Sequence, residues 1–138
     1  MTARFLLDTN IISDLIRNAE GVVAAKIAQL ASQQRLNLCT SILVAAELRF
    51  GAAKKNAPRL FRLVEEILGH IEVLPFQPDA DLHYARIRVK LESAGESIGA
   101  NDLFIAAHAL ASDCILVTDN LREFSRVPGL RVENWLRR

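Results

Sequence analysis

The sequence predicts an α/β fold, a three-layer α/β/α sandwich around a mainly parallel central sheet. Short apolar runs of strand length alternate along the chain with segments of helical period, the order that strand–helix–strand crossovers produce. The first of these runs, Phe5-Leu6-Leu7, closes on Asp8 and passes at once into Ile11-Ile12-Ser13-Asp14-Leu15-Ile16, which reads as a buried strand, a carboxylate at its C-terminal end and a helix start. In open α/β sheets ligands bind outside the carboxyl ends of the strands, so Asp8 falls on the edge where function is expected. A chain of 138 residues, 51% of them hydrophobic, is long enough to bury a core and fits one domain spanning residues 1–138.

The elements follow in order. Strand signals lie at residues 4–7, 36–40, 71–74, 115–118 and, weakly, 131–133. Between the first two, Val22, Val23, Ile27, Leu30 and Ala31 form one apolar helical stripe. Ser41 is placed to cap a helix over Ile42–Lys55, and Pro58 suits the first turn of the next. Asp79 or Asp81 opens a helix that carries Leu82, Ala85 and Val89 on one face with Tyr84, Ile87 and Leu91 beside it, and that stops at Gly95. Gly99-Ala100-Asn101 precedes a short helix over residues 102–111. No repeat, linker or low-complexity segment interrupts this order.

Composition excludes several classes. No apolar run reaches the roughly 18 residues of a membrane span, and Met1-Thr2-Ala3-Arg4 lacks the apolar region of a secretory signal, so a cytoplasmic protein with no membrane association is expected. Cys39 and Cys114 sit in apolar runs without zinc-like spacing and read as buried thiols. His108, on an apolar helix, reads as a packed side chain. The net charge of +1 says little about partners. Lys54, Lys55, Arg59 and Arg62, the pair Arg86 and Lys90, and the pair Arg122 and Arg126 read as solvated helix faces that permit contact with nucleic acid.

Most acidic residues lie on polar faces, but four do not. Asp8 closes the first strand, Glu47 is the lone carboxylate in apolar Ile42-Leu43-Val44-Ala45-Ala46-Glu47-Leu48, Asp102 opens a helix, and Asp119 follows Ile115-Leu116-Val117-Thr118. Each has a plain structural use: Asp102 as a helix cap, Asp119 in a turn, Glu47 paired with Arg49 or Arg86. Three of the four, however, fall at strand ends or helix starts, which share one edge of a parallel sheet. Carboxylates that converge there repel one another unless protonated or bound to a cation. Oxygen ligands without His or Cys suit Mg²⁺ or Mn²⁺, and such a cluster serves phosphodiester hydrolysis.

Four stretches together carry a family resemblance: Leu7-Asp8-Thr9-Asn10, Ser41 through Gly51 around Glu47, Ile98 through Ala109 around Asn101-Asp102, and Leu116 through Leu130 followed by Glu133-Asn134-Trp135. In this order and spacing the chain resembles the PIN-domain ribonucleases, in particular the VapC toxins of VapBC toxin–antitoxin pairs. The resemblance implies that Asp8, Glu47 and Asp102 are metal-binding acidic residues, that Thr9 and Ser41 help to hold the site, and that Asn101 accompanies the third carboxylate. The fourth acidic position is either Asp119 or, one residue on, Asn120. It implies a Mg²⁺- or Mn²⁺-dependent endoribonuclease in which Asp8 and Asp102 ligate the metal and Glu47 completes the shell or acts as general base. The substrate implied is RNA, in the anticodon loop of a transfer RNA. The partners implied are a VapB-type antitoxin, whose basic side chain enters the acidic site, and a second copy in a homodimer. Trp135 and Phe124 are candidates for stacking on bases or for core packing.

Two other classes compete. A phosphatase-like or phospho-receiver α/β protein also puts an Asp after its first strand, but the former needs a second Asp where Asn10 stands and the latter a late strand-end Lys. The other is a PIN-fold interaction module that binds metal but is catalytically degenerate; retention of Asp8, Glu47 and Asp102 argues against it.

Overall fold

The computed structural model describes residues 3–137. Its elements run β1 (Phe5–Leu7), α1 (Thr9–Arg17), α2 (Val22–Ser32), β2 (Leu38–Ser41), α3 (Ile42–Lys55), α4 (Pro58–His70), β3 (Glu72–Leu74), α5 (Ala80–Ser93), α6 (Ala100–Ala111), β4 (Ile115–Val117), α7 (Leu121–Phe124) and β5 (Val132–Glu133). The five strands form one sheet in the order β3-β2-β1-β4-β5, and every pairing is parallel. Helices flank this sheet, giving the expected layered α/β architecture. Because β1 is central and covered on both faces, its three residues are all apolar and all buried rather than alternating.

The strand order positions the site. The chain winds outward from β1 through β2 to β3, then returns to place β4 on the opposite side of β1. The direction of winding therefore reverses between β1 and β4, and a crevice opens there at the carboxyl ends of the two strands. Leu7 pairs with Val117, so Asp8 and Thr118 emerge side by side at this point.

Local chemistry sets the helix ends. Asp8 caps α1 through its own carboxylate, which accepts from the Thr9 N–H at 2.8 Å. Ser41 caps α3, its Oγ accepting from the Leu43 N–H at 3.0 Å. Pro58 stands in the first turn of α4, and α5 ends just before Gly95, whose φ of +68° takes the left-handed conformation of a helix stop. The helix α6 begins at Ala100, so Asp102 lies inside its first turn rather than before it. The helix α7 is only four residues long and gives little periodic signal, yet it buries Phe124 completely.

Of the two apolar stripes that α5 carries, the one with Ile87 and Leu91 faces the core. Leu82 and Val89 are 53% and 64% exposed, whereas Ile87 and Leu91 are buried against the rest of the core. Periodicity alone cannot choose between two adjacent apolar stripes; packing of α5 on α6 does. Ile87→Ala is expected to cost about 2–4 kcal/mol by leaving a cavity, and Val89→Ala no more than about 0.5 kcal/mol. Urea unfolding of the two variants measures the difference, and equal losses would contradict this assignment of the face.

Two aromatic candidates for base stacking are core residues. Phe124 has no exposed surface, and Trp135 is 7% exposed with its ring edge-on to Phe5 at 5.1 Å. Cys39 and Cys114 are buried free thiols, their sulfurs 3.7 Å apart.

Candidate active site

The crevice between β1 and β4 is organised by hydroxyl and amide donors bound to carboxylates. The buried Asp8 uses both oxygens: Oδ1 accepts from the Thr9 N–H, and Oδ2 accepts from the Thr118 hydroxyl at 2.8 Å. The Thr118 Oγ accepts in turn from the Asn120 N–H at 3.0 Å. The Thr9 hydroxyl, one residue beyond Asp8, donates to Glu47 Oε2 at 2.8 Å and so ties α3 to the end of β1. The Asn120 amide donates to Asp102 Oδ2 and to Glu123 Oε2, each at 3.2 Å, and ties α6 to α7.

Residues far apart in sequence thus share one site, and their electrostatics show the strain of like charge. Burial raises the pKa of Asp8, against the Thr118 and Thr9 hydrogen bonds that lower it. Burial also raises Glu47, opposed by the Thr9 hydroxyl and reinforced by the charge of Asp8. Asp102 is pushed up to about 7 by burial first, then by sharing a proton with Glu123 and by the negative charges of Asp8, Glu123 and Glu47. Glu123 is correspondingly held low, because it accepts that proton. A proton held between two carboxylates limits their repulsion.

Asp119 does not join the cluster. Its carboxylate accepts from Asn134 Nδ2 and Arg137 Nε, each at 2.9 Å, and these donors hold its pKa below the usual carboxylate range. Its backbone N–H donates to Asn10 Oδ1 at 3.0 Å. The fourth acidic side chain facing Asp102 is Glu123, which sequence reasoning passed over because Leu121-Arg122-Glu123-Phe124 reads as a solvated segment. The available signal was its place three residues after Asn120, across one helical turn.

Ser41 and His108 brace the site from behind. The Ser41 Oγ lies 2.6 Å from His108 Nδ1 while capping α3. The hydroxyl can hold both partners at once, because it has one proton and two lone pairs. Burial lowers the pKa of the ring and so favours its neutral form. The Ser41–His108 bond couples α6, which carries Asp102, to the start of α3, which carries Glu47.

Among the described residues, no group of three His, Cys, Asp or Glu side chains is already spaced to hold a metal ion. The threonine and asparagine donors occupy carboxylate oxygens instead. The donor set nevertheless fits a hard divalent cation: it is all oxygen, and three of its carboxyl groups are held above their ordinary pKa in a way a positive ion would relieve.

Comparison with known proteins agrees with the geometry. A family model described as PIN domain matches residues 5–130. Ribonuclease VapC2 of Haemophilus influenzae is 38% identical over 134 residues, covering 96% of this chain and 98% of the relative. The tRNA(fMet)-specific endonuclease VapC of Salmonella typhimurium is 36% identical over 133 residues, covering 96% and 98%. Among solved structures, VapBC2 from Rickettsia felis bound to a promoter DNA fragment superposes with a TM-score of 0.88 at 33% identity, covering 96% of this chain and 98% of that one. Family match, full-length identity and fold superposition agree, and this chain belongs to the PIN-domain family, among its VapC members.

Proposed function

We propose that this chain is the ribonuclease toxin of a VapBC-type pair and cleaves RNA at the crevice between β1 and β4 with the help of Mg²⁺ or Mn²⁺. The observation that carries the reading is the convergence of Asp8, Glu47, Asp102 and Glu123 through Thr9, Thr118 and Asn120. Full-length similarity to proteins named ribonuclease VapC supports it. Asp8 and Asp102 would hold the cation, Glu47 would act as general base beside it, and Glu123 rather than Asp119 would stand next to Asp102. A bound divalent ion would supply an acidified water and stabilise charge on the phosphate.

The remaining chemistry belongs to the chain's own groups. Asp8 is fixed by two donors, so its oxygens keep one orientation. The Thr9 hydroxyl engages one oxygen of Glu47 and leaves the other to take a proton from water. Burial brings Glu47 closer to neutrality, which suits a general base. The Asn120 amide holds Asp102 and Glu123 together and limits their repulsion once both are ionised.

The substrate we propose is a transfer RNA, cut in its anticodon loop, supported by the name of the Salmonella relative. The partner is a VapB-type antitoxin, supported by the VapBC complexes among the structural neighbours. A groove of about 220 Å³ between α1, α3 and α4, lined by Ile16, Leu48, Leu60 and Val64 and reaching Glu47, offers it an apolar channel to the acidic site. The exposed Leu82 and Val89 on α5 supply apolar surface for the proposed homodimer. No helix among the described residues is long and apolar enough to cross a membrane, and the proposed RNA substrate places the activity in the cytoplasm.

Digestion of transfer RNA with Mg²⁺, and with excess EDTA, tests the reading. Cleavage is expected only with the metal, and equal cleavage in EDTA would overturn it. In the same assay Glu123→Gln is expected to lose about 10–100-fold activity. Asp119→Asn breaks only outward-facing bonds and should stay within about fivefold of the parent.

A further inference from the structure

Among the described residues Phe50 is the most exposed large apolar side chain, 66% accessible, and it projects from α3 one helical turn beyond Glu47. Side chains three apart on a helix are neighbours, roughly 5–6 Å between Cβ atoms. Phe50 and Glu47 also line one cleft of about 250 Å³, together with Leu43, Ala46 and Asn101, the residue before Asp102. The Lys54 ammonium stands 5.9 Å from the Phe50 ring centroid. Phe50 is not part of the core; its contact within the chain is this cation–π approach of Lys54 over one ring face, which leaves the ring otherwise open to solvent.

The other aromatic rings do not offer the same arrangement. Phe124 and Trp135 are buried, Tyr84 and Phe104 stack on each other at 4.3 Å, and Phe76 packs on Phe104 and His108. Phe61 is exposed but lines a separate cleft with Pro58 and Arg62.

We propose that the Phe50 cleft is a nucleobase subsite: an unpaired base next to the scissile phosphate stacks on the Phe50 ring. This rests on the ribonuclease reading above and adds to it the position that takes the base. Every base has a π-face, so a lone ring binds single strands with little sequence preference, and a cation beside it suits the adjoining phosphate. Lys54 supplies that cation. The Asn101 amide, a donor and an acceptor at the cleft wall, is placed to read the base edge. Bases inside a duplex are stacked on their neighbours, so the subsite selects looped or single-stranded RNA. A protein surface is the competing occupant, but the cleft is walled by a carboxylate of the proposed reaction centre and carries a phosphate-type cation, which favours a nucleotide.

The test uses a short single-stranded oligoribonucleotide carrying 2-aminopurine, titrated with metal-free protein so that binding is read without cleavage. Stacking quenches the fluorophore. Quenching is expected with the parent and with Phe50→Trp, and is expected to be lost with Phe50→Ala. With Mg²⁺ present, Phe50→Ala should lower kcat/KM about tenfold or more, chiefly through KM, with Phe50→Trp restoring it. An abasic substrate should cost the parent the same factor and Phe50→Ala nothing further. If the parent cleaves RNA and Phe50→Ala binds and cleaves equally well, the subsite is refuted while the ribonuclease reading stands. If the parent does not cleave, both fail. If light scattering shows that Phe50→Ala converts a dimer to a monomer, the ring covers a second copy and the subsite is again refuted.

Discussion

Asp8→Asn is expected to remove RNA cleavage by about 10³-fold or more, the loss of several kcal/mol of transition-state stabilisation that goes with a disabled metal site. The fold should survive. Asn is isosteric and its amide oxygen can still accept from the Thr9 N–H, but its NH₂ faces a Thr118 oxygen that already accepts from Asn120 and Asn10, so the Thr118 bond is the one lost. The substitution also removes a carboxylate whose ionisation burial opposes. The lost bond and the relieved carboxylate oppose each other, so melting temperature should move by no more than about 4–8 °C while activity vanishes. Cleavage of transfer RNA and thermal melting on one preparation check both halves. An active Asp8→Asn would exclude the metal-nuclease reading, and an inactive, unfolded one would show that Asp8 acts through stability.

Cation binding is expected to depend steeply on pH. Asp102 has an ordinary pKa of 3.8 and is pushed to about 7 in the metal-free fold. A cation requires the ionised form, so apparent affinity should fall about tenfold per pH unit below 7, or about 10²-fold by pH 5. The same shift fixes the sign for stability. Between pH 3.8 and about 7 the folded chain holds a proton that the unfolded chain has released. The metal-free protein therefore loses this contribution to stability as pH rises through that window. The raised Asp8 and Glu47 act in the same direction, while Glu123, held low, titrates below it. Saturating Mg²⁺ should reverse the trend, raising the melting temperature more at pH 8 than at pH 5. Calorimetric titration with Mn²⁺ from pH 5 to 8 gives the affinity profile. A flat profile in the parent, or an unchanged steep one in Asp102→Asn, would contradict the assignment.

Much of this site was legible because its residues break local rules. Asp8 ends an apolar strand, and Glu47 interrupts an apolar helix; neither is where solubility would put a carboxylate. Both lie in the crevice, joined by Thr9. The parallel sheet was legible from alternating strands and helices, because that order leaves few topologies. What was hidden depended on contacts far apart in sequence. Asp119 follows its strand as a site residue should, yet Asn134 and Arg137 from the C-terminal segment draw it outward. Glu123 faces Asp102 only because α7 folds back at the end of β4. The stripes of α5 were equally apolar on paper, and Phe50 could not be distinguished from a core aromatic until α3 was packed.

The bridge from Thr118 to Asp8 spans 110 residues, and that span has a consequence for biosynthesis. Chains emerge from the ribosome N-terminus first. The partner that orients Asp8 is made 110 residues after it, and Asn120 and Glu123 come later still. No early fragment contains a complete crevice. A fragment that stops before Thr118 carries Asp8 and Glu47 but lacks the hydroxyl that orients Asp8 and the amide that joins Asp102 to Glu123.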